Sequence, residues 1–276
     1  IWRYEPHVAE KIFREWLSEF SSIDVFYDHR LIESADAVKK EGARIVSFTT
    51  QQGVVFKGRL FIDATLEGDL LYRTGVSMVI GRESNGTYQE TLNGIRAETT
   101  HSQFKVKVDP YRIMGDPSSG LIPTVQDEGL GSPGEGDHRI QAFCFRLCLT
   151  DSAGNQIPFY KPENYDRNLY EIYTRFERAG GVFGLPKASL PNRKSDLGAW
   201  TELSHNLYGM NHAYPGGTYK VREAIYKDHL AFTQGLFYFL SHDSSISEQT
   251  KRNWLKWGLA KDEFKDNNGW PRSLYI

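Results

Sequence analysis

Phe61-Ile62-Asp63-Ala64-Thr65-Leu66-Glu67-Gly68-Asp69-Leu70-Leu71 is the stretch on which the reading of the chain turns. Leu60 to Ile62 is apolar and predicts a short buried strand, while Asp63, Ala64 and Thr65 are the compact residues of a sharp turn where backbone comes close to a partner. Glu67 and Asp69 fall where a starting helix favours negative charge, and Asp69 predicts a cap or first-turn charge for a helix over 69–75. The same two carboxylates also allow an acid/base pair, and spacing favours the helix start.

Upstream, residues 6–20 have a helical pattern, with Val8, Ile12, Phe13, Trp16, Leu17 and Phe20 on one stripe and Pro6 in the first turn. Ile23 to Tyr27 predicts a strand and Leu31 to Val38 another. A turn at 39–42, a strand over 44–50 and a third over 54–56 make a β-meander rather than a repeating βαβ unit. A meander beside a strand–helix pair is expected to be the second part of a nucleotide-binding domain whose first βαβ lies elsewhere.

Downstream, residues 114–137 carry six glycines and three prolines and are expected to form a long loop. Ile140 to Thr150 is the clearest strand pattern, with Phe143, Phe145, Leu147 and Leu149 on one side and Cys144, Arg146 and Cys148 on the other. Within such a strand the two cysteines lie roughly 13 Å apart, beyond the Cα separation of about 7 Å that a disulfide tolerates, so both are expected to be buried thiols. His101 to Val108 alternates, residues 165–179 and 247–258 predict helices, and 219–241 is the longest, apolar around most of its girth and expected to be a central packing element.

With 33 basic and 35 acidic residues there is no electrostatic case for nucleic acid or an anionic membrane as partner. No apolar run reaches the ~20 residues of a spanning helix. The chain has no Gly-x-Gly-x-x-Gly between a strand and a helix (the match at Gly129 to Gly134 falls in the expected long loop), no Walker A, His-Glu-x-x-His or Gly-x-Ser-x-Gly motif, and no histidine pair with metal-ligand spacing, so no metal is expected. Arg146 suits an anion clamp or a carboxylate pair. His229, between Ile225 and Phe232, reads more readily as a core histidine than as a catalyst. Tyr160, Tyr165, Tyr170 and Trp200 suit either a sugar-stacking surface or a core. A start at Ile1 and an apolar end at Tyr275-Ile276 are expected of a segment of a longer protein, and the compartment stays open.

The opening phrase, with Gly75-Val76 and Gly81-Arg82-Glu83, resembles the FAD-dependent oxidoreductases sometimes labelled xanthan-lyase-like, in which it runs Ile-Asp-Ala-Thr-Tyr-Glu-Gly-Asp; Leu66 is the departure. The likeness continues in order through residues 116–123, Gly136-Asp137, Arg139-Ile140-Gln141-Ala142-Phe143, residues 146–150, residues 191–196, Asn211 with Tyr214-Pro215, and Trp257-Gly258-Leu259 with Asp262-Glu263-Phe264. The resemblance implies a mixed α/β protein of glutathione-reductase type: a partial FAD-binding domain over 1–80 and an α+β substrate domain over 81–276. It implies a central fragment lacking both ends, inactive and colourless alone.

By the same resemblance the cofactor is FAD, approached by Asp63, Ala64, Thr65, Glu67, Gly68 and Asp69, with Leu31 at the adenine. Arg146, His212 and His229 are then catalytic candidates, and Arg146 and Asn211 substrate-binding ones. The implied activity is flavin-mediated redox of a small molecule, a sugar derivative among the options. A flavin-independent polysaccharide lyase or glycoside-active enzyme, or a non-catalytic carbohydrate-binding module, is the alternative.

Overall fold

Pro6, which fixes φ and needs no N–H partner, opens α1 (Pro6–Ser18), and the helical period of the sequence is realised there. The computed structural model describes residues 3–99, 102–199 and 201–276, so His101 and Trp200 lie outside the described residues. The apolar stripe of α1 faces outward: Ile12, Phe13 and Trp16 are each more than half exposed.

The meander forms as β1 (Val38–Glu41), β2 (Arg44–Thr49) and β3 (Val55–Lys57), antiparallel in that order, with Gly42 at φ +63° in the first turn. Phe48 stacks on Phe56 at 5.1 Å, and Phe26 and Phe61 pack edge-on against this pair, giving the small sheet a partly exposed aromatic cluster.

Two strand expectations are corrected nearby. Residues 60–62 are not a strand: no neighbour continues the sheet beyond β3, so Leu60 and Ile62 stay exposed while Phe61 turns onto Phe48. Residues 23–27 form no strand either, and of 31–38 only Leu31, bridged to Thr50, joins the sheet before β1.

After α2 (Asp69–Thr74) and the single turn α3 (Asn85–Tyr88), the expected long loop proves to begin as a hairpin, β4 (Tyr111–Ile113) with β5 (Asp116–Leu121). Gly115 at φ +79° makes the turn, and the Asp109 carboxylate accepts the N–H groups of Tyr111 and Gly115 at 2.9 and 2.7 Å. Pro117 is tolerated in β5 because a two-stranded ribbon leaves one edge free.

The second sheet contains β6 (Leu147–Thr150), β7 (Gln156–Ile157), β8 (Lys194–Leu197) and β9 (Gly258–Ala260) in the order β7-β9-β6-β8, again antiparallel throughout. β6 is shorter than its sequence pattern because side chains replace the ladder upstream. Asn211 Nδ2 donates to the Gln141 carbonyl at 2.6 Å and His205 Nε2 to that of Phe145 at 3.0 Å, while Cys144 bridges Tyr275. Both cysteines are buried and unbridged, and burial pushes the Cys148 thiol up to about 12.

Against this sheet pack α4 (Glu171–Arg178), α5 (Tyr219–His242) and α6 (Glu248–Trp254). Phe232, Leu236, Phe237, Phe239 and Leu240 of α5 meet Tyr170, Tyr173, Phe176 and Trp254 in one core, so the long helix is the packing element its composition predicts. The architecture is mixed, with helices and sheets, and every strand pairing among the described elements is antiparallel.

Candidate functional site

The opening stretch folds as a tight turn organised by one carboxylate. Asp63 Oδ1 accepts from the Thr65 N–H and hydroxyl at 3.0 and 2.6 Å, and Oδ2 accepts the Leu70 and Leu71 N–H groups at 3.0 and 3.1 Å. Burial alone raises its pKa, but these bonds outweigh burial and hold the carboxyl below its ordinary value. Gly68, at φ +65° before α2, takes the left-handed conformation that the turn demands.

The turn forms one wall of a cleft of about 590 Å³. Its lining gathers Leu31, Asp63, Ala64, Thr65, Glu67 and Asp69, six of the seven residues expected near a cofactor, and Gly68 sits behind them in the turn. The opposite wall comes from the start of α5 and the segment before it: Tyr214, Tyr219, Arg222, Glu223 and Tyr226.

Sequence reasoning missed this second wall. The available signal was Arg222 three residues after Tyr219, on the face of the helix that also carries Ile225 and His229. Thr218 caps that helix, its hydroxyl accepting from Val221 N–H, and Glu33 accepts the Tyr219 N–H at 2.6 Å.

The two walls are joined by polar contacts. Arg222 engages Asp69 through both guanidinium nitrogens at 2.8 and 2.6 Å, donates to the Tyr214 carbonyl at 3.1 Å and lies over the Tyr214 and Tyr219 rings. The Tyr219 hydroxyl donates to the Leu31 carbonyl at 2.8 Å. Burial, then the Glu67 charge, raises the pKa of Tyr214; burial, then Asp69, does so for Tyr219. Both are therefore neutral hydrogen-bond donors. Asp63 is bound to backbone and Asp69 to arginine, so Asp69 is committed to an ion pair rather than free to act with Glu67 as an acid/base pair.

The substrate-side candidates lie elsewhere. Arg146 pairs with Asp196 through two nitrogens and lies over Tyr275, outside the cleft. Asn211 is fully buried, holding the Gln141 carbonyl. His212 Nδ1 is 3.5 Å from the Ile140 N–H and its ring meets His138 edge-on. His229 is 1% exposed, with Nδ1 on the Ile225 carbonyl one turn back at 2.8 Å. Of the aromatic set, Tyr170 is in the core and Tyr165 stacks on it, whereas Tyr160 is exposed, so these three form no common surface.

Glu5, His7 and Glu263 bring potential metal-ligand atoms within 4.8 Å of one another. The Lys194 ammonium already sits 2.6 Å from Glu5 and 2.7 Å from both Asp262 and Glu263, so the cluster carries its own cation.

The cleft's groups fit part of a flavin dinucleotide. Its volume lies within the roughly 300–1,000 Å³ range of ligand sites, its aromatic walls suit a planar ring, and Ala64 leaves room for close approach. Arg30 lies 4.5 Å over the Tyr219 ring with no carboxylate partner among the described residues, as a phosphate would require. No glycine-rich pyrophosphate turn accompanies them.

No curated protein and no solved structure matches the chain. Residues 2–276 match the family described as FAD dependent oxidoreductase. That match runs over nearly the whole chain and corrects the narrower expectation: the family shown is the broad one, and neither the xanthan-lyase-like label nor a description as its central fragment is carried by it. With a match of this extent, the chain belongs to the FAD-dependent oxidoreductase family.

Proposed function

We propose that the cleft between the Asp63 turn and the start of α5 is where this chain holds FAD, and that its activity is flavin-mediated oxidation or reduction of a small molecule. The observation carrying this reading is convergence: the turn that resembles the family's phrase and an aromatic, arginine-bearing wall more than 140 residues later close on one cleft. Residues up to about 80 then form one wall of the cofactor site, and the start of α5 with the segment before it forms the other.

Bound there, the flavin supplies the redox chemistry. The chain's own residues bind and orient. Ala64 and Thr65 give a low wall, Tyr214 and Tyr219 offer aromatic faces, and Arg30 supplies positive charge. Asp69 and Arg222 neutralise each other across the cleft and hold its width.

Ala64 is exposed, so Ala64→Leu changes the cleft without disturbing the core. Titration with FAD, followed by flavin fluorescence, is expected to show saturable binding that weakens at least about tenfold in Ala64→Leu, equivalent to about 1.4 kcal/mol. Arg30→Ala is expected to weaken FAD more than riboflavin, which lacks the phosphates. Equal FAD affinity in wild type and Ala64→Leu places the cofactor elsewhere and defeats this reading.

A further inference from the structure

A second cavity, of about 340 Å³, shares no lining residue with the cleft. Its floor is apolar and buried: Tyr173, Leu203, Leu236, Phe237, Leu240 and Trp254. The cavity is shaped by a close backbone approach at Gly184, where a Cβ would lie 2.3 Å from Thr201 Cγ2.

Two polar groups belong to this apolar floor. The Trp254 indole stacks on Phe237 at 5.2 Å, and its Nε1–H is buried without an acceptor. His205 donates Nε2–H to the Phe145 carbonyl, which leaves Nδ1 as an acceptor, and burial pushes its pKa down to about 4, so the ring is neutral. A buried donor without a partner calls for an explanation, since such groups are rare in folded proteins.

The rim has the opposite character. Arg3 and Lys187 line it, both exposed and both without an ion-pair partner among the described residues, whereas Asp196 is engaged by Arg146. Floor and rim together describe a ligand with a flat apolar body, an acceptor on that body and an anionic end.

We propose that this cavity is a second small-molecule site, which takes a compact hydroxy-substituted aromatic carboxylate with its ring on the Phe237–Trp254 floor and its anion at Arg3 and Lys187. The site is independent of the cleft assigned to FAD, and it stands or falls without that assignment.

Calorimetric titration with hydroxynaphthoate tests it, with naphthol as the neutral counterpart. Hydroxynaphthoate is expected to bind saturably, to quench tryptophan fluorescence, and to be unaffected by saturating FAD. The double variant Arg3→Ala/Lys187→Ala, altered only at exposed positions, is expected to bind hydroxynaphthoate about tenfold more weakly, the effect of two half-solvated ion pairs, and naphthol unchanged. Trp254→Phe, which keeps the stacked ring and loses the donor, is expected to weaken both probes. Absence of saturation at millimolar probe, competition by FAD, or equal loss of both probes in the rim variant overturns the proposal.

Discussion

Lys194 is fully buried at the start of β8, yet it stays charged. Burial alone lowers an ammonium pKa, but the carboxylates of Asp262, Glu263 and Glu5 outweigh it and raise the pKa. Asn192 donates to both oxygens of Glu5 at 3.0 Å, and His7 donates its backbone N–H to Glu263 at 2.9 Å, so the start of α1 is tied to the sheet through this one cation. Replacing it by a similarly long apolar chain strands three carboxylates against one another. Lys194→Met is therefore expected to cost about 3–5 kcal/mol in urea unfolding. A Glu5→Gln variant, which leaves Lys194 with two carboxylates, is expected to lose far less. A small loss from Lys194→Met would show that Lys194 matters by its packing and not its charge.

At the scale of elements, α5 was legible because composition and period agree over 24 residues. Gly235 in its middle was not explained by either. A Cβ there would lie 2.1 Å from the Tyr170 hydroxyl, which is fixed by its bond to the Phe232 carbonyl at 3.1 Å. Alanine gains about 1 kcal/mol in helix propensity, but overpacking costs about 1–3 kcal/mol, and Tyr170, 1% exposed, has nowhere to swing. Gly235→Ala is expected to be destabilising on balance, by about 1–2 kcal/mol in thermal or urea unfolding; a more stable variant would contradict the contact.

The strand over 140–150 was legible by alternation and misjudged in length for a related reason. Alternation reports which residues are buried, and it is silent on whether a neighbouring strand or the side chains of Asn211 and His205 take up the carbonyl groups. His205 makes that substitution testable. Its folded pKa lies at about 4, below the ordinary 6.5, so the unfolded chain binds a proton that the folded one refuses between those values. The stability it contributes is complete above pH 6.5 and is lost as pH falls toward 4, by up to about 1.4 kcal/mol per pH unit. Stability curves measured across that window are expected to be flatter in His205→Gln than in wild type.

For the molecule as a whole, one wall of the cleft could be read from consecutive residues, while the other depends on a helix more than 140 residues away that no local pattern connects to it. Spacing predicts a helix start at Asp69 and a long helix from Tyr219, but only the folded chain sets Asp69 against Arg222. That pair joins the meander side to the sheet side, with the Tyr219 hydroxyl on Leu31 and Glu33 on the Tyr219 N–H beside it. Arg222 is buried and Asp69 half-buried, so the pair is less screened than a surface bridge, and its bidentate geometry is the strong kind. A double-mutant cycle of Asp69→Asn and Arg222→Gln is expected to give a coupling of about 1–3 kcal/mol in unfolding. Asp69→Asn alone should be the costlier single change to the cleft, because it leaves a buried guanidinium unpaired. In hydrogen exchange, that variant is expected to lose protection in β1 to β3 and α2 before it does in the second sheet, since the smaller half loses its main charged tie to the larger core. Simultaneous loss in both sheets, or additive single effects, would mean that the two halves are held together by packing and that the ion pair only lines the cleft.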